Sequence, residues 1–94
     1  MSNFCQILIE EDFDFGVDKT DIIEYLKEKK MYQWDKDCFI FINFSREDWK
    51  DVIYSLTEKF GWFFDFIYVR NDCFGDCGIF RLNGNMEIEK CATL

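Results

Sequence analysis

The chain lacks histidine, a glycine-rich phosphate loop and any long apolar run, and each absence excludes a class of function. Without histidine, the commonest general base of enzymes is missing. No segment matches a nucleotide-binding glycine loop or the serine turn of hydrolases. The apolar runs, such as residues 62–64, are far shorter than the roughly 20 residues that cross a bilayer. We therefore expect a protein that is neither an enzyme nor inserted in a membrane.

The chain does contain enough apolar material for one folded domain. Its 94 residues fit a single domain spanning residues 1–94, and 49% of them are hydrophobic and 20% aromatic. Burial of that much apolar surface offsets the entropy lost on ordering the backbone, so disorder is not expected. Nineteen acids outnumber eleven bases for a formal charge of -8. This predicts a negative surface that repels nucleic-acid phosphates and anionic membranes.

The cysteines favour a reducing compartment. They are odd in number and follow no secretory leader: Cys5, Cys38, Cys73, Cys77 and Cys91. Reduced thiols in the cytoplasm are therefore expected. Cys73 and Cys77 form only one short pair, whereas a structural zinc site needs four ligands. An EF-hand with Gly16 at its sixth position would place Phe13 and Phe15 at ligand positions, so neither a metal nor another cofactor is expected.

Alternation and capping signals divide the chain into strands and two helices. Asp18 predicts the start of a first helix, and Ser45 that of a second, whose apolar stripe ends before Gly61. Strands are predicted by apolar and β-branched residues at 4–9, 31–34, 38–44, 62–70, 78–82 and 85–89. Between the last two strands, Asn83-Gly84 is the preferred pair for a two-residue type I′ hairpin turn.

This order of elements predicts an α+β fold. The succession of strand, helix, strand, strand, helix and strand fits two right-handed strand–helix–strand units that share one mostly antiparallel sheet. The expected architecture is a ferredoxin-like β-α-β-β-α-β sandwich with an added C-terminal β-hairpin. Both helices would pack on one face of the sheet and leave the other face open.

The third predicted strand has two apolar faces under this architecture. If Ile40 and Ile42 pack beneath the helices, alternation sends Phe39 and Phe41 to the open face, beside Leu8 of the first strand. This strand and the capped helix after it resemble the third strand and second helix of RNA-recognition motifs. In that family, aromatic residues on this strand stack on RNA bases. An acidic residue precedes the strand where the family has a basic one, and the charge of -8 opposes RNA binding.

The acidic segment after the first strand is a second candidate surface. Residues 10–16 have neither helical nor strand periodicity, which predicts a surface loop. Acids steer encounter with basic partners, and aromatics supply much of the contact energy of interfaces. The expected partner-binding residues are Glu10, Glu11, Asp12, Phe13, Asp14, Phe15, Phe39 and Phe41.

Together these features favour a small acidic protein-binding protein of the inhibitor, immunity or adaptor type. It would occupy a basic surface of a partner, such as that of a nucleic-acid-binding protein, and so act as a nucleic-acid mimic. Direct binding of nucleic acid by this chain is not expected from its charge. Two alternatives stay open: a nucleic-acid-binding or ligand-binding module that uses the open face, and a domain that covers this face by forming a homodimer.

Overall fold

The computed structural model describes residues 4–12, 18–45, 47–71 and 76–93, which form two helices and six strands. In chain order these elements are β1 (Phe4–Glu11), α1 (Lys19–Glu28), β2 (Tyr32–Lys36), β3 (Phe39–Ser45), α2 (Trp49–Phe60), β4 (Phe64–Asn71), β5 (Asp76–Leu82) and β6 (Ile88–Ala92). Each predicted strand has a counterpart, with ends displaced by up to three residues. Among the described residues, no helix is both long enough and apolar enough to cross a membrane.

The strands form one open sheet in the order β2-β3-β1-β4-β5-β6. Every neighbouring pair in this sheet is antiparallel. The fold is therefore α+β, with two helices and a six-stranded antiparallel sheet. β1 lies inside the sheet between β3 and β4, and the C-terminal hairpin extends the sheet beyond β4.

Both helices begin at an aspartate. Asp18 caps α1 as predicted, because its carboxylate accepts a hydrogen bond from the Thr20 backbone N–H at 2.9 Å. The cap of α2 is Asp48, whose carboxylate accepts from the Lys50 backbone N–H at 3.0 Å. The prediction that Ser45 caps α2 was wrong, since Ser45 is still paired in the sheet as the last residue of β3.

The hairpin of β5 and β6 is present, but its turn is longer than predicted. Residues 83–87 link the two strands, rather than Asn83-Gly84 alone. The Met86 N–H donates to the Asn83 carbonyl at 3.0 Å, and Met86 adopts a left-handed φ of 61°. The Asn83 side chain also accepts hydrogen bonds from the backbone N–H groups of Asn85 at 2.9 Å and Glu87 at 3.1 Å. Asparagine commonly stabilises turns in this way, and here the longer turn moves the start of β6 three residues along the chain.

The core lies between the helices and one face of the sheet. Ile7 of β1 is fully buried and pairs with Ile42 of β3, which is also fully buried. Trp49 of α2 packs on Phe80 of β5, with ring centroids 4.7 Å apart. The helices add a buried stripe made of Ile22, Leu26, Trp49, Val52, Ile53, Leu56 and Thr57. The predicted burial of one face of β3 is confirmed for Ile40 and Ile42, and Phe44 on the same face is buried as well.

Candidate functional site

The sheet face opposite the helices presents a row of apolar side chains. Strand register aligns one residue from each of five adjacent strands, and we call this set the apolar row: Trp34, Phe41, Leu8, Tyr68 and Ile79. All five are at least partly exposed. Their neighbours along the same strands, such as Ile42 and Val69, are fully buried on the helix side. The row therefore crosses the open face as a continuous apolar surface.

Trp34 is the most exposed side chain of the apolar row. Its indole stacks on the Phe41 ring with centroids 5.3 Å apart and 9° between the planes, yet 47% of the residue remains exposed. A bulge places it on this face: Tyr32 pairs with Ile42 and Trp34 with Phe41, so Gln33 is an extra residue in β2. The stack orders a large ring that is still half exposed to solvent.

Glu10 lies beside the row, between two phenylalanines. In the sheet it pairs with Phe39 of β3 on one side and with Phe66 of β4 on the other. One carboxylate oxygen, Oε1, accepts a hydrogen bond from the Tyr68 hydroxyl at 3.1 Å. Burial, followed by this hydrogen bond to Glu10, raises the pKa of Tyr68. The Glu10 carboxylate is thus held among aromatic residues while remaining partly exposed.

One end of the sheet is rich in acids. There β1 and β2 finish and β3 begins, and we call it the acid-rich end: Glu10, Glu11, Asp12, Asp35 and Asp37. Lys19 of α1 organises this end, since its Nζ lies 3.4 Å from Glu11 Oε2 and 3.3 Å from Asp35 Oδ2. The same ammonium group donates to the Asp37 carbonyl at 2.7 Å. These contacts tie α1 to the end of β1 and to the turn between β2 and β3.

Glu11 does not lie in a surface loop, which corrects the prediction for this residue. It is the last residue of β1, only 9% exposed, and its N–H donates to the Cys38 carbonyl at 2.7 Å. Burial raises the pKa of Glu11, although Lys19 acts in the opposite direction. Asp35 differs, because a hydrogen bond from the Tyr32 hydroxyl is the main cause that lowers its pKa. Both carboxylates are therefore engaged within the fold.

The structure brings together only part of the predicted partner-binding set. Glu10, Phe39 and Phe41 lie on the open face, close to one another. Glu10 too belongs to β1, so the predicted loop begins two residues later than expected. Asp12 follows β1, is partly buried, and its N–H donates to the Phe63 carbonyl at 2.8 Å. The remaining predicted residues lie outside the described residues: Phe13, Asp14 and Phe15.

Sequence reasoning missed the residues of the open face that β2 and β4 provide. In the sequence, Trp34 ends the short predicted strand 31–34, which is too short to show an alternation, and both faces of the predicted strand 62–70 are largely apolar. Alternation places Phe66, Tyr68 and Arg70 on one face of β4, and the charge of Arg70 indicates that this face is exposed to solvent. Asp65 is also exposed but lies on the opposite face by alternation, so the two charged residues give conflicting predictions of which face is exposed. Only the register of β4 with β1 resolves the ambiguity.

The described residues show no metal-binding arrangement. Within them, no group of three or more histidine, cysteine, aspartate or glutamate side chains is placed to hold a metal ion. Cys77 is a free thiol of intermediate exposure, and its sequence neighbour Cys73 lies outside the described residues. Among the described residues, the open face offers apolar contact through the apolar row, and hydrogen bonding and charge through Tyr68 and Glu10.

Comparisons with known proteins add no family to this description. A scan against protein-family models and searches of the curated proteins and the solved structures find no match to this chain. The features of this chain that bear on function are the apolar row, Glu10 and the acid-rich end.

Proposed function

We propose that this chain is a small, non-enzymatic protein-binding protein that uses the open face of its sheet to occupy a basic surface of a partner. The exposure of Trp34 supports this most directly, because its ring is held in a fixed orientation by stacking and 47% of the residue is still exposed. Interfaces are typically anchored by a few rigid aromatic side chains that fill a partner's pocket. Contiguous exposed apolar surface on a soluble protein commonly marks an interaction site.

The charge of the chain supports a basic partner. The formal charge is -8, and the acid-rich end borders the apolar row because Glu10 accepts a hydrogen bond from Tyr68 of that row. Long-range attraction would bring a basic surface to this end, and the apolar row would then exclude water from the contact. Since Lys19 engages Glu11 and Asp35, steering depends on Glu10 and on the overall charge rather than on the whole acidic segment.

A partner with a strongly basic surface is often a protein that binds nucleic acid, so the chain would act as a nucleic-acid mimic. We propose an inhibitor, immunity or adaptor role in the cytoplasm. The described cysteines are free thiols, and Cys91 is exposed on β6, as suits a reducing compartment.

We also propose that β1 to β4 and the two helices form a ferredoxin-like unit that β5 and β6 extend. The order of the elements along the chain supports this, as does the position of β1 between β3 and β4. In such a unit both helices cover one face, which leaves the opposite face available for binding. The fold alone does not specify what binds there.

The proposal is tested with a partner captured from the source cells and then purified. Its affinity is measured for the wild-type chain, for Trp34→Ala and for Tyr54→Ala, a control in which an exposed aromatic of α2 is removed. The exposed part of Trp34 amounts to about 120 Å², taking about 250 Å² for a whole tryptophan, and its burial is worth about 3 kcal/mol. Trp34→Ala should therefore weaken binding by about 100-fold. Tyr54→Ala should change it little; equal losses, or no loss in either variant, would place the partner elsewhere.

Self-association through the same face is a second candidate, favoured by its mixed charges. Glu10 and Glu89 share the open side with Lys36, Arg70 and Arg81, so two copies would repel less there than their net charges imply. The open face of six strands, which are about 4.8 Å apart and about 20 Å long, has an area of roughly 600 Å² in each copy. A dimer would then bury about 1,200 Å² in total, at the low end of stable interfaces. Light scattering over a range of concentrations should show twice the monomer mass, lost in Phe41→Asp.

A further inference from the structure

One part of the open face has the chemistry of a site for a single cationic side chain. Glu10 pairs with Phe39 on one side and Phe66 on the other, so this residue lies between two phenylalanines in the sheet. Residues directly opposite on antiparallel strands have Cβ atoms about 4.5–5.5 Å apart, which places the Cβ atoms of the two phenylalanines roughly 10 Å apart. The Tyr68 hydroxyl donates to Glu10 Oε1 at 3.1 Å and so orients the carboxylate.

Glu10 is positioned by its neighbours without being neutralised by them. Of the carboxylates described above, Glu11 is paired with Lys19 and Glu89 with Arg81. No cation among the described residues forms an ion pair with Glu10. Within the part of the chain that the structure describes, the second carboxylate oxygen, Oε2, has no ion-pair partner and can accept from a donor of the partner.

From this geometry we infer that Glu10, Phe39, Phe66 and Tyr68 bind an arginine side chain of the partner, an inference that rests on the proposed function above. A guanidinium group is planar, stacks on aromatic faces and donates hydrogen bonds to a carboxylate in a fixed fork. Contact with a ring on each side, at about 3.5–4.0 Å, requires ring planes about 7–8 Å apart, so the group touches both rings as they lean inward from Cβ atoms roughly 10 Å apart. A lysine ammonium matches the charge but not the planar shape, so it binds more weakly.

The site is tested by following the ¹⁵N-labelled protein by NMR during titration with the peptide Ac-Gly-Arg-Gly-NH₂. Saturable shifts are expected at the amides of Glu10, Phe39 and Phe66, together with upfield shifts of the arginine side-chain protons from ring currents. The lysine analogue should bind more weakly, and the citrulline analogue, which has the same shape without the charge, should not bind.

Two matched variants separate this site from general attraction to an acidic protein. Glu10→Gln keeps an acceptor for the Tyr68 hydroxyl and should weaken arginine binding by tenfold or more. Glu58→Gln makes the same chemical change at an exposed position of α2 and should leave the affinity unaltered. The backbone spectrum of each variant shows directly whether the fold is preserved.

The inference is overturned if the citrulline peptide binds equally well, if Glu10→Gln leaves the affinity unchanged, or if the shifts centre on Asp35 and Asp37. Because Trp34 lies outside this site, the arginine site and the proposed function can be refuted independently of each other. Loss of partner binding in Trp34→Ala without arginine binding at Glu10 removes only the arginine site. Arginine binding at Glu10 with no effect of Trp34→Ala on the partner contradicts the proposed function.

Discussion

The two faces of β3 can be separated by a matched pair of substitutions, Ile42→Ala and Phe41→Ala. Ile42 is fully buried beneath the helices, whereas its neighbour Phe41 is partly exposed and stacks on Trp34. Ile42→Ala leaves a cavity and should cost about 3 kcal/mol, within the usual range of about 2–5 kcal/mol. Phe41→Ala removes the larger side chain but loses mainly the ring stack and part of its burial, about 1–2 kcal/mol.

Urea unfolding followed by circular dichroism measures both free energies on the same strand. A loss of 1 kcal/mol lowers Tm by about 4–8 °C in a domain of this size, so Ile42→Ala should melt at least about 10 °C below the wild type. Because both variants place alanine in β3, differences in strand propensity largely cancel. If Phe41→Ala were as costly as Ile42→Ala, Phe41 would belong to a covered core, and the open face would not exist in solution.

Three further predictions test local features of the fold. Glu11→Gln should gain stability relative to the wild type as the pH rises from about 4 to about 7, because the folded chain holds the Glu11 proton more tightly than the unfolded chain and loses stability as that carboxyl ionises. Parallel pH curves in urea unfolding would contradict this. Asp48→Ala should cost about 1 kcal/mol as the lost cap of α2, and Ser45→Ala less than about 0.5 kcal/mol; the reverse order would refute the cap assignment. Gly78→Ala would set a Cβ 2.7 Å from a backbone oxygen of β6 and should cost about 1–3 kcal/mol, whereas Gly84→Ala meets nothing within 4 Å; equal melting temperatures would argue against this packing.

Periodicity predicted the elements whose two faces differ most. β3 alternates between buried and partly exposed residues, and α2 has a continuous buried stripe. The predicted end of α2 is confirmed, because Gly61 adopts a left-handed φ of 83° and donates its N–H to the Thr57 carbonyl at 2.8 Å. Such features depend on residues close in the chain, which is why local patterns reveal them.

The wrong predictions concern residues whose secondary structure is set by pairing with a strand that is distant in the sequence. Glu10 and Glu11 have the composition of a loop, yet Glu10 pairs with both neighbouring strands and Glu11 pairs with β4, which continues β1 through them. Ser45 is a good cap by type, but pairing with Phe4 holds it in the sheet, and Asp48 takes the capping position. The bulge beside Trp34 changes which face it occupies, and one extra residue in a strand has no signature in alternation.

The central claim, that a partner covers the open face, is tested most directly by acrylamide quenching of tryptophan fluorescence in the free and partner-bound chain. Trp34 is 47% exposed and Trp49 only 1%, so the difference between the wild type and Trp34→Phe isolates the signal of Trp34. The account predicts that Trp34 is readily quenched in the free chain and protected once the partner is bound. Complex formation that leaves the quenching of Trp34 unchanged would show that the partner binds another surface, and would contradict the account.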